Sequence, residues 1–206
     1  GADHEDIAYS YRTGNHGDGS WYSINGNIDY QRTSRKNKQR MITFSYKINT
    51  QPQTSNSNTG YEDIHAKEEV DDLVKRLLLK NSQSDGKTNT MEQTFQVDYT
   101  TPIGELHTVE AGAKYIFRRN TSDNKLYEAA GGSDDYLYNE DRSSDYRHLN
   151  HILAAYLGYT LKYKDFTFKP GVRYEQTVQR VKYIVGPGEN FHTNFSDLVP
   201  SVSLGM

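Results

Sequence analysis

The sequence predicts an all-β fold, an antiparallel up-and-down meander of about eight long strands, and three observations support this prediction. Apolar and polar residues alternate along most of the chain, which is the period of a β-strand. The alternating segments run to about 9–13 residues, whereas the strands of soluble domains average about 5–6. The connections between the segments alternate between short and long.

The stretch Ser20–Arg32 (SWYSINGNIDYQR) shows the alternation most clearly. From position 22 to position 30, the even-numbered residues are tyrosine, isoleucine or glycine, and the odd-numbered residues are serine, asparagine or aspartate. Applied along the chain, the same criterion predicts eight strands: Asp6–Arg12, Trp21–Arg32, Arg40–Gln51, Thr90–Tyr99, Thr108–Arg119, His151–Tyr163, Phe166–Gln179 and Leu198–Met206. Pro170 cannot donate to a ladder, so a bulge or a sheet edge is expected there.

The connections predict which ends of the strands lie together. The short ones are Thr33–Gln39, Thr100–His107 and Lys164–Asp165, and the long ones are Pro52–Asn89, Asn120–Asn150 and Arg180–Asp197. Short turns at one end and long polar loops at the other are typical of a barrel that crosses an outer membrane. We therefore expect residues 1–206 to form one barrel segment, with residues 1–5 as a tag remnant or tail and 52–89, 120–150 and 180–197 as loops of the extracellular type.

A short helix is predicted inside the first long loop. In Glu68–Lys80 (EEVDDLVKRLLLK) the valines and leucines recur at helical spacing. Acidic residues open the segment and basic residues close it, which complements the helix dipole. The helix either packs as a cap on neighbouring loops or binds a membrane or partner, and the first interpretation is preferred.

The composition excludes several classes of function. With 24 basic and 27 acidic residues the net charge is -3, so no nucleic-acid partner is expected. There is no cysteine, no phosphate loop and no nucleophile elbow. The acidic run Ser133–Asp145 offers oxygen ligands for calcium but lacks EF-hand spacing, which favours a solvated loop. The sequence predicts no enzyme, no cofactor and no metal site.

Two architectures fit the alternation, and they differ in which face is packed. In a soluble eight-stranded barrel or sandwich, binding a small ligand or glycan, the apolar residues fill the inside. In a membrane barrel they face lipid and the polar residues face the lumen. Tyr22 and Tyr30 are eight residues apart, which is about 20 Å along the membrane normal for a strand tilted by 35–45°. Because aromatic girdles flank an apolar band about 25 Å tall, this interval favours the membrane barrel.

The membrane interpretation assigns each strand a lipid-facing and a lumen-facing side. The residues predicted to face lipid are Tyr22, Ile24, Ile28, Tyr30, Ile42, Phe44, Tyr46, Ile48, Tyr115, Phe117, Leu157, Tyr159, Phe168, Val172 and Tyr174. The residues predicted to face the lumen are Asn25, Asn27, Asp29, Lys47, Asp98, Lys114, Arg173 and Glu175.

Several short motifs, in order and spacing, resemble a known family. They are Asp98–Gly104 (DYTTPIG), Glu110–Lys114 (EAGAK), Ile152–Tyr159 (ILAAYLGY), Gly171–Glu175 (GVRYE) and Asp197–Ser201 (DLVPS). Together they resemble the outer-membrane β-barrel domain of TonB-dependent receptor-like proteins that carry an N-terminal carboxypeptidase-regulatory-like domain. The resemblance covers most of the chain and includes the region before residue 90.

The resemblance implies a function and partners for the parent protein. Such receptors import or bind bulky nutrients at the cell surface of Gram-negative bacteria, with a plug domain inside a barrel of about 22 strands. A periplasmic energy-coupling protein drives them. This chain has neither plug nor coupling box and about eight of the strands, so we expect it to be inactive alone as a transporter. Its signal peptide is expected to have been removed, and its free strand edges are expected to pair between copies into a dimer.

Overall fold

The computed structural model describes residues 9–186 and 188–206, which form one antiparallel sheet of nine strands. The strands are β1 (Tyr9–Trp21), β2 (Ile24–Thr33), β3 (Met41–Ala66), β4 (Asn81–Ile103), β5 (His107–Ala129), β6 (Leu137–Tyr138), β7 (Ser144–Tyr163), β8 (Phe166–Val185) and β9 (Phe191–Gly205). The predicted all-β antiparallel fold of long strands is confirmed. The expected tail at residues 1–5 and the first three residues of the predicted first strand lie outside the described residues.

The nine strands occupy seven positions across the sheet. β1 and β2 both pair with β3, with β1 along Gln53–Ala66 and β2 along Met41–Thr50. They therefore form one interrupted strand, broken at Tyr22 and Ser23. The two-residue β6 likewise continues the edge of β5 beyond the part paired with β7. The order across the sheet is otherwise sequential, as in a meander.

The strands run much further than their apolar alternation predicts. β3 and β4 stay paired from Met41↔Thr100 to Thr59↔Ser82, and the two strands together take up most of the segment that we expected to be the first long loop. The connections that remain at this end are residues 67–80, 130–143 and 186–190. The extensions are rich in Asn, Ser and Thr, so hydrophobic periodicity gives no signal for them. Their backbone groups are nevertheless satisfied by the neighbouring strands. We call this end the apex.

Tight turns join the strands at the opposite end, as expected. The connections are residues 34–40, 104–106 and 164–165. Two of them need a left-handed backbone conformation, which Gly104 (φ 69°) adopts without steric cost and Lys164 (φ 51°) adopts in a two-residue hairpin. Pro170 does not introduce the bulge we considered. Gly158↔Gly171 and Leu161↔Phe168 keep one register on either side of it, and only the intervening pairs are missing.

The predicted helix is present at the apex and is short. An α-helical turn at Asp71–Leu73 continues as a π-helical turn at Val74–Leu78. Ion pairs join Lys75 to Asp71 (3.3 Å) and Arg76 to Asp72 (2.9 Å), each four residues apart. The helix packs against the β5–β7 connection, where the N–H of Gly131 donates to the carbonyl of Lys75 (2.8 Å). It therefore caps neighbouring loops.

Within residues 9–186 and 188–206, no second layer packs on the sheet. In the described part of the chain five apolar residues are buried, and three of them, Val74, Leu79 and Ala129, belong to the apex rather than to the sheet faces. Ala154 and Val181 are the other two. Large apolar side chains along the strands are exposed instead. Among the described residues, no helix is long and apolar enough to span a membrane.

Candidate functional site: the two faces of the sheet

The register gathers the predicted lipid-facing residues on one face. Residues directly opposite in neighbouring strands share a face, and Ile28, Tyr46, Phe95, Tyr115 and Leu153 form one such row across five strands. Fourteen of the fifteen residues share this apolar face: Ile24, Ile28, Tyr30, Ile42, Phe44, Tyr46, Ile48, Tyr115, Phe117, Leu157, Tyr159, Phe168, Val172 and Tyr174. Tyr22 lies in the break between β1 and β2, and its N–H donates to the carbonyl of Pro52.

The register also gathers all eight predicted lumen-facing residues on the opposite, polar face. They are Asn25, Asn27, Asp29, Lys47, Asp98, Lys114, Arg173 and Glu175. The grouping follows from the strict alternation of side chains along each strand. Whether these faces meet lipid and lumen stays a prediction.

Aromatic rings pack along the apolar face without being covered. The ring centroids of Tyr46 and Phe95 are 4.8 Å apart, and those of Phe95 and Tyr115 are 6.2 Å apart. The rings border a shallow apolar groove of about 420 Å³ whose floor includes Val97 and Ala113. Leu157 is 54% exposed on this face and Leu198 is 67% exposed. Soluble monomers rarely expose a continuous apolar patch of more than a few hundred Å².

Two tyrosine–histidine pairs lie on the apolar face near its ends. A hydrogen bond joins Tyr115 Oη to His151 Nδ1 (2.6 Å), and another joins Tyr159 Oη to His107 Nδ1. Each pair spans β5 and β7 diagonally. One polar atom in each of four side chains thereby has a hydrogen-bond partner on this apolar face. Sequence analysis missed both pairs, since no local signal links residues 36 and 52 positions apart.

Hydrogen bonds and ion pairs cover the polar face. Arg173 Nε donates to Glu175 (2.8 Å), two residues along β8, and Arg118 Nε donates to Glu92 (2.8 Å) across β4 and β5. The hydroxyl of Tyr156 donates to Asp98, two strands away. Two ion pairs, Arg173–Glu175 and Arg118–Glu92, thus lie on this face.

The apolar runs on β2, β5 and β9 are displaced in one direction across the sheet. The run Tyr22–Tyr30, which begins in the break before β2, is centred on Gly26. The row of directly paired residues that starts at Gly26 continues through Ile48, Gln93, Phe117, His151, Val178 and Asn194. On β9 the apolar run Leu198–Leu204 is centred on Ser201, seven residues beyond Asn194. β5 is the middle one of the seven strand positions. Its apolar run, Val109–Phe117, is centred on Ala113, which lies four residues from Phe117 toward the short turns. The displacement on β9 has the same direction.

A cluster of charged residues holds the apex together. Asn139 Nδ2 (2.8 Å) and Arg142 Nη1 (3.3 Å) donate to Glu128 Oε1, and Lys80 Nζ lies 3.4 Å from Glu128 Oε2. Burial by itself raises the pKa of Glu128. The hydrogen bonds from Asn139 and Lys80, with the charges of Lys80 and Arg142, outweigh it and hold the pKa below the ordinary value. Among the described residues, no group of three or more acidic or histidine side chains is arranged to hold a metal ion.

One continuous apolar face, one polar face and long antiparallel neighbouring strands are the features of the wall of a transmembrane β-barrel. The chain belongs to the outer membrane protein beta-barrel family, which matches residues 33–206. It is therefore a segment of an outer-membrane β-barrel.

Comparison with solved structures gives 30 matching chains. One is the ferric citrate transporter FecA in its unliganded form, with 15% sequence identity and a TM-score of 0.34. The match covers 96% of this chain and 33% of that chain, so this chain spans about a third of the length of that transporter. No curated protein matches.

Proposed function

We propose that this chain is part of the wall of an outer-membrane receptor that binds or takes up a nutrient at the cell surface, with its apolar face against lipid and its polar face toward the lumen. The observation that carries the orientation is the exposure of the apolar face, and the stagger of its apolar band adds the strand tilt of a barrel. If the apolar residues form a band parallel to the membrane plane, then tilted strands must each enter that band at a different residue.

The size of the stagger supports this orientation. Seven residues at about 3.3 Å each are about 23 Å along a strand, and six strand-to-strand steps at about 4.8 Å are about 29 Å. Their ratio corresponds to a strand tilt of about 39°, inside the range of about 35–45° found in membrane barrels. The core of a soluble sandwich gives no reason for an apolar band to shift steadily in one direction across a whole sheet.

The exposed apolar face also argues against the alternative of a soluble barrel or sandwich that binds a small ligand or glycan. Such a fold buries its apolar residues between layers. Here residues such as Leu157 and Leu198 remain more than half exposed. The polar face carries paired charges that suit contact with water or with a hydrated plug domain. We propose no enzymatic role.

The receptor function belongs to the parent protein. The plug domain, the periplasmic energy-coupling protein and the solute are proposed from the family resemblance of the sequence. This chain contributes wall and apex surface, and we expect no transport from it alone.

Cysteine labelling of neighbouring residues tests the orientation, because the chain has no cysteine of its own. Tyr46→Cys and Lys47→Cys lie side by side on β3, and Tyr115→Cys and Lys114→Cys lie side by side on β5. In chains folded into lipid vesicles, a charged maleimide that cannot enter the hydrocarbon should label the two lysine positions and spare the two tyrosine positions. Equal labelling within both pairs would rule out a lipid-facing apolar face.

A gel comparison tests membrane folding separately. The chain folded in detergent should migrate anomalously on an unheated gel and normally after boiling, because membrane barrels resist unfolding by detergent. A chain that is folded and monomeric in plain buffer would favour the soluble alternative.

A further inference from the structure

The apolar face ends in a cluster of basic residues on the apex side. Beyond Phe117 on β5 the next residue on this face is Arg119, and Leu149, which pairs with Arg119, pairs also with Arg180 on β8. In the next row toward the apex, Arg147 on β7 is directly opposite Lys182 on β8. Four cations from three adjacent strands therefore share one face, immediately beyond the apolar band. We call Arg119, Arg147, Arg180 and Lys182 the basic rim.

Within residues 9–186 and 188–206, no acidic side chain forms an ion pair with a cation of the basic rim. Like charges directly opposite in a sheet are destabilising, and Arg147 opposite Lys182 is such a pair. The Nε of Arg119 is buried and has no hydrogen-bond partner.

The surroundings of the basic rim contrast with those of its neighbours. Arg118, adjacent to Arg119 but on the polar face, is held by Glu92 at 2.8 Å. Acidic residues do follow on the apolar side, where Asp123 and Asp145 face each other one row nearer the tips. These two aspartates are direct cross-strand partners of each other, and neither is the direct partner of a rim cation. Within the described residues, the basic rim therefore has no counterpart of the ion pairs Arg118–Glu92 and Arg173–Glu175 on the polar face.

A shallow pocket of about 280 Å³ lies at the β8–β9 end of the basic rim. Its lining includes Arg180, Lys182 and His192, with Asn190 beside them and Phe191 and Val181 as apolar contacts. Arg180, Lys182 and His192 are exposed. Such a pocket offers an anion two cationic donors, an imidazole and an amide. It lies beside the apolar face of the sheet.

We infer that the basic rim binds the phosphate-bearing headgroup of an anionic lipid whose acyl chains lie on the apolar face. This inference rests on the proposed orientation of that face toward lipid. Acyl chains fill the space along the aromatic band, and the headgroup phosphate accepts hydrogen bonds from the rim cations. Charge-assisted bonds of guanidinium to phosphate are strong and directional. The arrangement explains why four cations that repel one another are kept together where headgroups begin.

Lipid retention by the full chain in maltoside detergent tests the inference. Phosphatidylglycerol is added and the bound lipid is counted by native mass spectrometry. The double variant Arg147→Gln, Lys182→Gln should bind phosphatidylglycerol about tenfold or more weakly than the original chain, because each surface cation contributes about 1 kcal/mol. Retention of zwitterionic phosphatidylcholine should not change.

The matched control removes two cations from the opposite face, as Arg118→Gln with Arg173→Gln. It should retain phosphatidylglycerol as well as the original chain does. Equal loss of phosphatidylglycerol from both double variants would mean that only net charge matters, and it would overturn the inference. Unchanged retention by the rim variant would overturn it as well. Displacement of the lipid by inorganic phosphate at equal concentration would assign the site to a free anion and also overturn it.

The unheated gel separates the two proposals. If the chains fold in detergent and migrate anomalously but bind both lipids equally, only the lipid site fails. If the chain does not fold in detergent, the proposed orientation fails and the lipid site fails with it.

Discussion

The hydroxyl of Tyr156 on β7 donates a hydrogen bond to Asp98 on β4 by reaching across Gly112 on the strand between them. Asp98, Gly112 and Tyr156 are direct partners in one row of the polar face. The ring can lie flat on β5 because glycine has no side chain there. A Cβ added at Gly112 would lie 2.6 Å from Asp98 Oδ1 and would collide with the tyrosine ring. A glycine that weakens a strand by itself is here covered by an aromatic ring.

Gly112→Ala should destabilise the sheet because the new methyl group displaces the Tyr156 ring and strains its bond to Asp98. We expect a loss of about 1–3 kcal/mol in the free energy of unfolding, as for other overpacked sites. Urea unfolding of the chain in lipid vesicles measures it. Gly158→Ala is the control, since a Cβ there approaches its nearest neighbour no closer than 3.9 Å. Equal stability of the two variants would contradict the prediction.

Tyr156→Phe should separate the hydrogen bond from the cover that the ring provides. The ring still lies over Gly112, but a bond to a charged acceptor is lost, so we expect about 1.5–3 kcal/mol less stability. The same urea experiment on Asp98→Asn and on the double variant completes a mutant cycle. A coupling energy near zero would show that the Tyr156–Asp98 bond contributes nothing to stability.

A charge in the middle of the apolar band should cost more than a charge beside it on the other face. Phe44→Arg on β3 should reduce stability in bilayers by about 2–4 kcal/mol, as for arginine near the midplane of a barrel. Ser45→Arg points to the polar face, where its direct partner on β2 is Asp29, and it should be nearly neutral. The free energies of unfolding in lipid vesicles make the comparison. A larger cost for Ser45→Arg would invert the proposed orientation.

The apex should loosen in acid because Glu128 has a lowered pKa. A carboxyl whose pKa is lower in the folded state stabilises that state above its unfolded pKa, and this contribution is lost as pH falls through the folded pKa. With an ordinary value of 4.5, loss begins near that pH and is complete below the folded pKa. The protection of the amides at 129–143, taken as their hydrogen-exchange rates relative to the intrinsic rate at each pH, should fall over this window.

Glu128→Gln should show the faster exchange already at neutral pH, since it removes the charge that Lys80 and Arg142 contact. Its exchange should then vary less with pH than that of the original chain. Glu62→Gln, which removes an exposed carboxylate of β3 outside this cluster, serves as the control. An original chain whose apex amides keep the same protection, relative to the intrinsic exchange rate, from pH 6 to pH 3 would refute the role of Glu128.

The two edges of the sheet should pair between copies of the chain. Within the described residues β9 pairs on one side only, with β8, and β1 and β2 pair on one side only, with β3. Unpaired strand edges are templates for association. Light scattering of the detergent-folded chain should show a dimer that dissociates on dilution. A strict monomer at the highest attainable concentration would contradict the prediction.

The sequence alone predicted which residues share each face of the sheet. The parity of Ile24, Ile28 and Tyr30 against Asn25, Asn27 and Asp29 assigns each group to a face, because side chains alternate whatever the neighbouring strands are. The tight turn at Lys164–Asp165 and the helix in the first long connection were predicted for similarly local reasons. The extension of β3 beyond Gln51 was not predicted. Its residues are polar and have no apolar period, so they form a strand only because a neighbouring strand pairs with them.

The sequence alone determined the amphipathic strands, their approximate order and the short turns, because these depend on residues that are close along the chain. Only the tertiary structure decided the register. Register brings Tyr156 over Gly112 to Asp98, sets Arg147 opposite Lys182, and shifts the apolar band by seven residues between β2 and β9. These relationships join residues far apart in the chain, so they depend on how backbone hydrogen bonds align whole strands rather than on any local pattern.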